Sequence, residues 1–289
     1  MIKLSVVMAT YNAKDSIEQA ILSIESTVRK DELEIIAVDD CSSDNTCDII
    51  KTLQKNYSNI KLYKMEKNSG SPSEPRNFGI KNAEGKYITF VDDDDTVNAD
   101  NLMDMLDIVL EKEADFGKGY LINFDGKNKT VENRIGSECK GSFDTMEKII
   151  QYQSTTSDFL IKRDFLIKHN VKYNSNLKIG EDTVFTSEIF SHNPNAIYID
   201  NYFWIRSTIP EDISNLSSTQ NCGDKEVLDQ INAWRKSYEI LSKVSINYYK
   251  LRLPASLRNI LISIVRYSNG ISKECFKELS NFAKETEIY

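Results

Sequence analysis

Long apolar runs are what this sequence most clearly lacks. No segment approaches the roughly 18–20 apolar residues of a membrane-spanning helix, and the longest late run, Ile260–Val265, is interrupted by Ser263. The opening Met1-Ile2-Lys3-Leu4-Ser5-Val6-Val7 passes straight into a β-branched run, so no secretory leader is expected. The five cysteines (41, 47, 139, 222 and 275) are odd in number and lack CxxC spacing. That argues against a disulfide framework or zinc site and for reduced thiols in the cytoplasm. His169 and His192 are the only histidines and have no partners at metal-ligand spacing. Positive charge is in deficit, with 36 Lys+Arg against 44 Asp+Glu and a net charge of −8. Nucleic acid is therefore excluded as a general partner, because phosphate backbones are bound by clustered cations. Neither GxGxxG nor GxxxxGK[ST] occurs, which removes the usual dinucleotide and P-loop readings.

What is present suits one large domain, or a domain with a smaller addition: 289 residues, 40% apolar and 28% charged. The first hundred residues alternate strand and helix signals. Leu4–Ala9, Leu33–Val38, Ile60–Met65 and Tyr87–Val91 read as short buried strands. Between them, Ile17, Ala20, Ile21, Ile24 and Val28 follow helical spacing behind an Asp15/Glu18 capping box, and Asp44 can cap a helix carrying Ile49, Ile50 and Leu53. A further helix is expected through Leu102, Met105, Leu106, Val109 and Leu110. This alternation predicts an α/β fold, a mostly parallel sheet with helices on both faces, whose ligands bind beyond the carboxyl ends of the strands. Residues 113 to 210 give mixed signals. Pro210 and Ser214–Gly223 read as a linker into a helical segment.

The polar residues gather at those strand ends. Asp92–Asp95 follows the apolar strand Ile88-Thr89-Phe90-Val91. Four adjacent carboxylates repel one another unless they form a solvated turn or a hard cation such as Mg²⁺ or Mn²⁺ joins them. Asp39-Asp40 is either a strand end before a helix cap or an acceptor for a nucleobase or ribose. The small-residue loop Asn68–Pro75 leads to Arg76, a surface cation or an anion-binding one. Glu181-Asp182 at a helix start is either an acidic cap or a general base. Trp204 and Arg206 either flank a sugar or phosphate, or are a core aromatic and a surface cation.

Taken in order, Ser5-Val6-Val7-Met8-Ala9-Thr10-Tyr11-Asn12, Val38-Asp39-Asp40-Cys41-Ser42-Ser43-Asp44, Asn68–Gly70 with Pro75-Arg76-Asn77-Phe78-Gly79-Ile80, Gly85–Asp95 and Gly180-Glu181-Asp182 resemble the family 2 inverting glycosyltransferases of GT-A fold. The resemblance spans about residues 1 to 206. The Ser-Pro-Ser-Glu-Pro-Arg-Asn stretch looks most like bacterial enzymes that decorate wall teichoic acid or build capsule. It implies a GT-A catalytic domain over 1–210, with a nucleotide-sugar half (1–100) and an acceptor half (101–210); no motif covers 211–289, which the helical pattern of its own residues marks as a helical extension. It further implies that Thr10 lines the nucleotide pocket, that Asp40 faces uracil, and that Asn68 and Arg76 lie near base and diphosphate. Asp92-x-Asp94 matches the DxD motif, with Asp94 on Mn²⁺ or Mg²⁺, Asp93 near the ribose and Asp92 supporting the donor sugar or a metal-bound water. Asp182 would be the catalytic base. The partners implied are a UDP-sugar donor and a glycan or polyol-phosphate acceptor. Three departures stand out: Ala9 replaces a common proline, the middle DxD residue is charged, and neither histidine is placed to serve as a late metal ligand. Retention of Asp94 and Asp182 favours an active transferase over a nucleotide-sugar-binding module without turnover.

Two apolar stripes remain in the extension, Leu228-Ile231-Trp234-Tyr238-Leu241 and Leu253-Leu257-Ile260-Leu261-Ile264. Each must be buried. They either pack on the catalytic domain or a second copy, or dock at the inner face of a membrane through Lys250, Arg252, Arg258 and Arg266.

Overall fold

The computed structural model describes residues 1–136, 142–153, 155–208, 223–267 and 270–286. Strands β1 (Leu4–Thr10), β2 (Leu33–Asp39), β3 (Ile60–Lys64) and β4 (Tyr87–Phe90) lie where apolar runs predict them. They form a parallel half-sheet in the order β3-β2-β1-β4. The sheet continues with β8 (Phe159–Lys162), β6 (Phe116–Phe124), β9 (Ala196–Ser207) and β5 (Thr96–Val97), while β7 (Lys129–Glu132) pairs with β6. This second half is mixed: β8 is antiparallel to both β4 and β6, and β6 is parallel to β9.

Alternation along the strands feeds two cores, one on each face. From β1, Val7 joins one cluster and Leu4, Val6 and Met8 the other; from β2, Ile36 and Val38 part from Ile35 and Ala37 in the same way. Helices α1 (Ile17–Ile24), α2 (Thr46–Gln54) and α4 (Ala99–Glu111) cover one face with Ile17, Ile21, Ile50, Leu102 and Leu106. The other face takes α3 (Ser73–Asn82), α5 (Ser142–Tyr152), α6 (Arg163–Lys168) and α7 (Glu181–Ser191). A sheet covered on both sides explains why its strands read as continuous apolar runs.

Helices α8 (Asp224–Ser242), α9 (Tyr248–Tyr267) and α10 (Lys273–Thr286) follow. Val227, Ile231, Trp234, Leu241, Leu253 and Ile260 are buried in the same cluster as Phe90, Phe116 and Phe185. Each such side chain contributes about 1.5–3 kcal/mol by leaving water. Both C-terminal stripes thus turn most of their residues inward. Among the described residues no helix is long and apolar enough to cross a membrane. The expected linker at Pro210 and Ser214–Gly223 lies outside the described residues, apart from Gly223, as do Cys139 and Cys222.

One local expectation fails. α1 stops at Ile24, Val28 is exposed, and Ser16 occupies the N-cap without a side-chain bond, so no Asp15/Glu18 capping box forms. The Ser23 hydroxyl donates to Ala20 O and Ser26 to Ser23 O, local bonds of the kind that compete with helix propagation.

Candidate active site

The carboxyl ends of β1, β2 and β4, the start of α3, the start of α7 and the end of β9 enclose a cleft of about 640 Å³. Thr10, Asp40, Asn68, Arg76, Asp92, Asp93, Asp94 and Asp182 all line it. Every site residue expected from sequence therefore reaches one cavity.

On the β1–β2 side, backbone geometry is held by short polar bonds. Asp40 N–H donates to Thr10 O at 2.8 Å. The Asp40 carboxylate accepts from Ser69 N–H and its hydroxyl, at 2.9–3.0 Å, and Asn68 Nδ2 donates to Asp40 O. Asp40 thus anchors the 68–71 loop at the cleft wall. Gly70 there has φ +79° and open space around the position a Cβ would take, a conformation that favours glycine.

The four aspartates diverge. Asp92 accepts from Arg76 Nη2 at 2.8 Å, Asp93 from Tyr11 N–H at 2.9 Å and Asp95 from Ser207 N–H at 2.7 Å, while Asp94 is exposed on the cleft wall. Burial, aided by the neighbouring carboxylates, pushes Asp93 up to about 8 and Asp95 up to about 9. This crowding of negative charge at one strand end fits a hard divalent cation that takes its other ligands from phosphate oxygens and water. Among the described residues no group of three His, Cys, Asp or Glu side chains is arranged to hold a metal unaided.

Arg76 bridges two carboxylates of the cleft, Asp92 and Asp182. It sits in the first turns of α3, behind Pro72 and Pro75, and is 4% exposed. Nη1 donates to Asp182 Oδ1 at 2.9 Å, and Glu181 Oε1 lies 3.6 Å away. The guanidinium lies over the Tyr173 ring, 5.2 Å from its centroid.

Asp182 belongs to the first turn of α7, entered through Gly180 at φ +85°. Its Oδ1 also accepts from the Thr156 hydroxyl at 3.0 Å, which is itself bonded to Tyr173 OH. Gln153 Nε2 donates to Asp182 O. Burial raises the Asp182 pKa above the ordinary carboxylate range against the pull of Arg76, and burial with repulsion from Asp182 raises Glu181 to about 8. A desolvated carboxylate with raised proton affinity, held by Arg76 and Thr156, is suited to accept a proton. Trp204 and Arg206 from β9 also line the cleft, and Arg206 is held by Asn123 and Glu132.

Thr155, Thr156, Tyr173 and Lys178 escaped sequence reasoning. They lie in irregular stretches without periodicity, and only Lys178, two residues before Gly180, adjoins a recognisable motif. Lys178 is tied to α8: its N–H donates to Asp229 and its Nζ to Glu226 at 2.7 Å.

A profile described as "Glycosyl transferase family 2" matches residues 5–192. The chain is 32% identical over 189 residues to the poly(ribitol-phosphate) beta-glucosyltransferase of Bacillus spizizenii, covering 65% of this chain and 29% of that one. It is 34% identical over 202 residues to the poly(ribitol-phosphate) beta-N-acetylglucosaminyltransferase TarS of Staphylococcus aureus, covering 69% and 34%. The match thus spans about a third of each relative's length. The crystal structure of S. aureus TarS 1–349 in complex with UDP-GlcNAc superposes with a TM-score of 0.77 at 22% identity, covering 99% of this chain and 80% of that chain; it shares the fold.

Proposed function

The chain belongs to glycosyl transferase family 2, and from that premise we propose that it is a metal-dependent inverting transferase that moves a sugar from a UDP-sugar to a hydroxyl of a polyol-phosphate polymer. The observation that carries this reading is the placement of Asp182, partly buried and raised in proton affinity, in the same cleft as Asp92–Asp94. The names of the two relatives supply the acceptor class, poly(ribitol-phosphate), and the TarS complex supplies UDP-GlcNAc as the first donor to test.

In this reading Thr10, Asp40 and Asn68 form the nucleotide side of the cleft. Asp94 would hold Mn²⁺ or Mg²⁺, with Asp92 supporting the donor sugar or a metal-bound water, and the ion would neutralise charge on the leaving diphosphate. Asp182 takes the proton of an acceptor hydroxyl whose oxygen attacks the anomeric carbon. The new C–O bond forms as the bond to UDP breaks, with inversion, and UDP leaves. Arg76 keeps Asp182 oriented and limits how far burial raises its proton affinity.

The test is UDP release from UDP-GlcNAc, UDP-GalNAc and UDP-glucose, with Mn²⁺ or Mg²⁺ and poly(ribitol-phosphate) as acceptor. Release that needs both metal and acceptor is expected with one donor. Tight UDP-sugar binding without turnover under any of these conditions would overturn the transferase reading.

A further inference from the structure

Helix α9 differs in charge from the rest of this acidic chain. Over Tyr248–Tyr267 it carries Lys250, Arg252, Arg258 and Arg266 and no Asp or Glu, in a protein of net charge −8. Its neighbours balance their charges: Arg235 of α8 pairs with Glu278 and Glu285 of α10. The inward face of α9 is accounted for by Leu253 and Ile260, with Leu257 and Ile264 packed against the core. Arg252 turns toward α5 and donates to Gln151 O.

Among the described residues, the outward face has no such partner. Lys250, Pro254, Arg258, Leu261, Ile262 and Val265 recur at intervals of three and four and are all exposed, so they share one side of the helix. Leu261 is 48%, Ile262 41% and Val265 84% exposed. Apolar residues interleaved with cations, and no carboxylate among them, form the surface of an interfacial helix.

We propose that this face of α9 docks the protein on the surface of a bilayer rich in anionic lipid. Leu261, Ile262 and Val265 enter the boundary between headgroups and acyl chains, while Lys250 and Arg258 meet lipid phosphates. The negative charge elsewhere is repelled by the same surface, which selects this side of the molecule for contact. A second copy is a poorer occupant. A two-fold contact would set Lys250 and Arg258 near their own equivalents with no carboxylate on the helix to relieve them. Three apolar side chains also fall far short of the roughly 800 Å² per partner of a stable interface. The proposal concerns a surface outside the cleft and does not depend on the transfer chemistry.

Flotation of the full chain with phosphatidylglycerol–phosphatidylcholine vesicles at low salt tests it. Binding is expected, with loss on pure phosphatidylcholine and at high salt. The pairs Lys250→Glu/Arg258→Glu and Ile262→Asn/Val265→Asp should each weaken binding about tenfold or more. Because these side chains are exposed, melting temperature and UDP release with a soluble acceptor should match the parent, so docking and catalysis are read separately. No flotation of the parent, or equal flotation of parent and variants, would overturn the proposal. So would variants that change only the oligomeric state in sedimentation velocity.

Discussion

Arg76 and Asp182, 106 residues apart in the chain, meet at 2.9 Å through a guanidinium whose other nitrogen holds Asp92 at 2.8 Å. One buried cation therefore links the carboxylates at the end of β4 to the one at the start of α7. Removing it leaves Asp92, Glu181 and Asp182 facing one another without compensation. Arg76→Ala should cost about 3–5 kcal/mol of stability, the usual result of stripping one partner from a buried ion pair. Urea unfolding measures it; a loss below about 1 kcal/mol would place the guanidinium in effective contact with water.

Asp182→Asn should lower kcat about 10²–10⁴-fold, the range of general-base catalysis, while donor affinity changes little. Steady-state transfer kinetics and UDP-sugar titration separate the two quantities. Loss of donor binding at unchanged kcat would make Asp182 a donor ligand instead.

For Asp94→Asn, metal-dependent transfer should drop by at least about 10²-fold, comparable to losing a group that stabilises developing charge. The melting temperature should hold or rise, since Asp94 is exposed and its removal relieves repulsion on Asp93 and Asp95. Parent-like turnover in Mn²⁺ and Mg²⁺ would remove the metal assignment.

Glu181 gives a pH prediction with a definite sign. Its pKa rises from 4.5 to about 8 on folding, through burial and then Asp182. Between those values the folded state holds a proton that the unfolded state has released, so stability falls as pH rises across the window. Glu181→Gln should flatten this slope, and unfolding curves at pH 5, 6.5 and 8 compare the two chains. Parallel pH profiles would mean that Glu181 titrates normally.

Gly180→Ala combines two penalties. The residue sits at φ +85°, and an added Cβ would lie 2.5 Å from the Ala233 methyl of α8. A cost of about 1–3 kcal/mol is expected from backbone strain and overpacking, with reduced transfer because Asp182 lies two residues on. Adding Ala233→Gly should recover the packing part but not the backbone part. Full recovery would show that the left-handed conformation costs little here.

How legible the fold was depended on periodicity. Buried parallel strands gave apolar runs, and Ala99–Glu111 gave a clean helical stripe, so both could be read directly. Val28 misled because apolar spacing does not register serine hydroxyls that bond to carbonyls three residues earlier. The cleft was legible as motifs at strand ends, which the fold must bring together. The environment of Asp182 was not. Thr156 and Tyr173 reach it from irregular backbone, and Arg76 contacts it only because α3 and α7 cover the same face of the sheet. Pairings between distant segments leave no local pattern in a single sequence.

The contact of Gly180 with Ala233, together with the bonds from Lys178 to Asp229 and Glu226, also bears on recombination between related enzymes. A chimera joined near residue 210 would give the segment entering α7 a foreign α8, with another shape opposite Gly180 and other charges opposite Lys178. A graft that carries 174–191 and 223–242 from the same parent keeps that lock with its key, and is the exchange expected to pass activity from one chain to another.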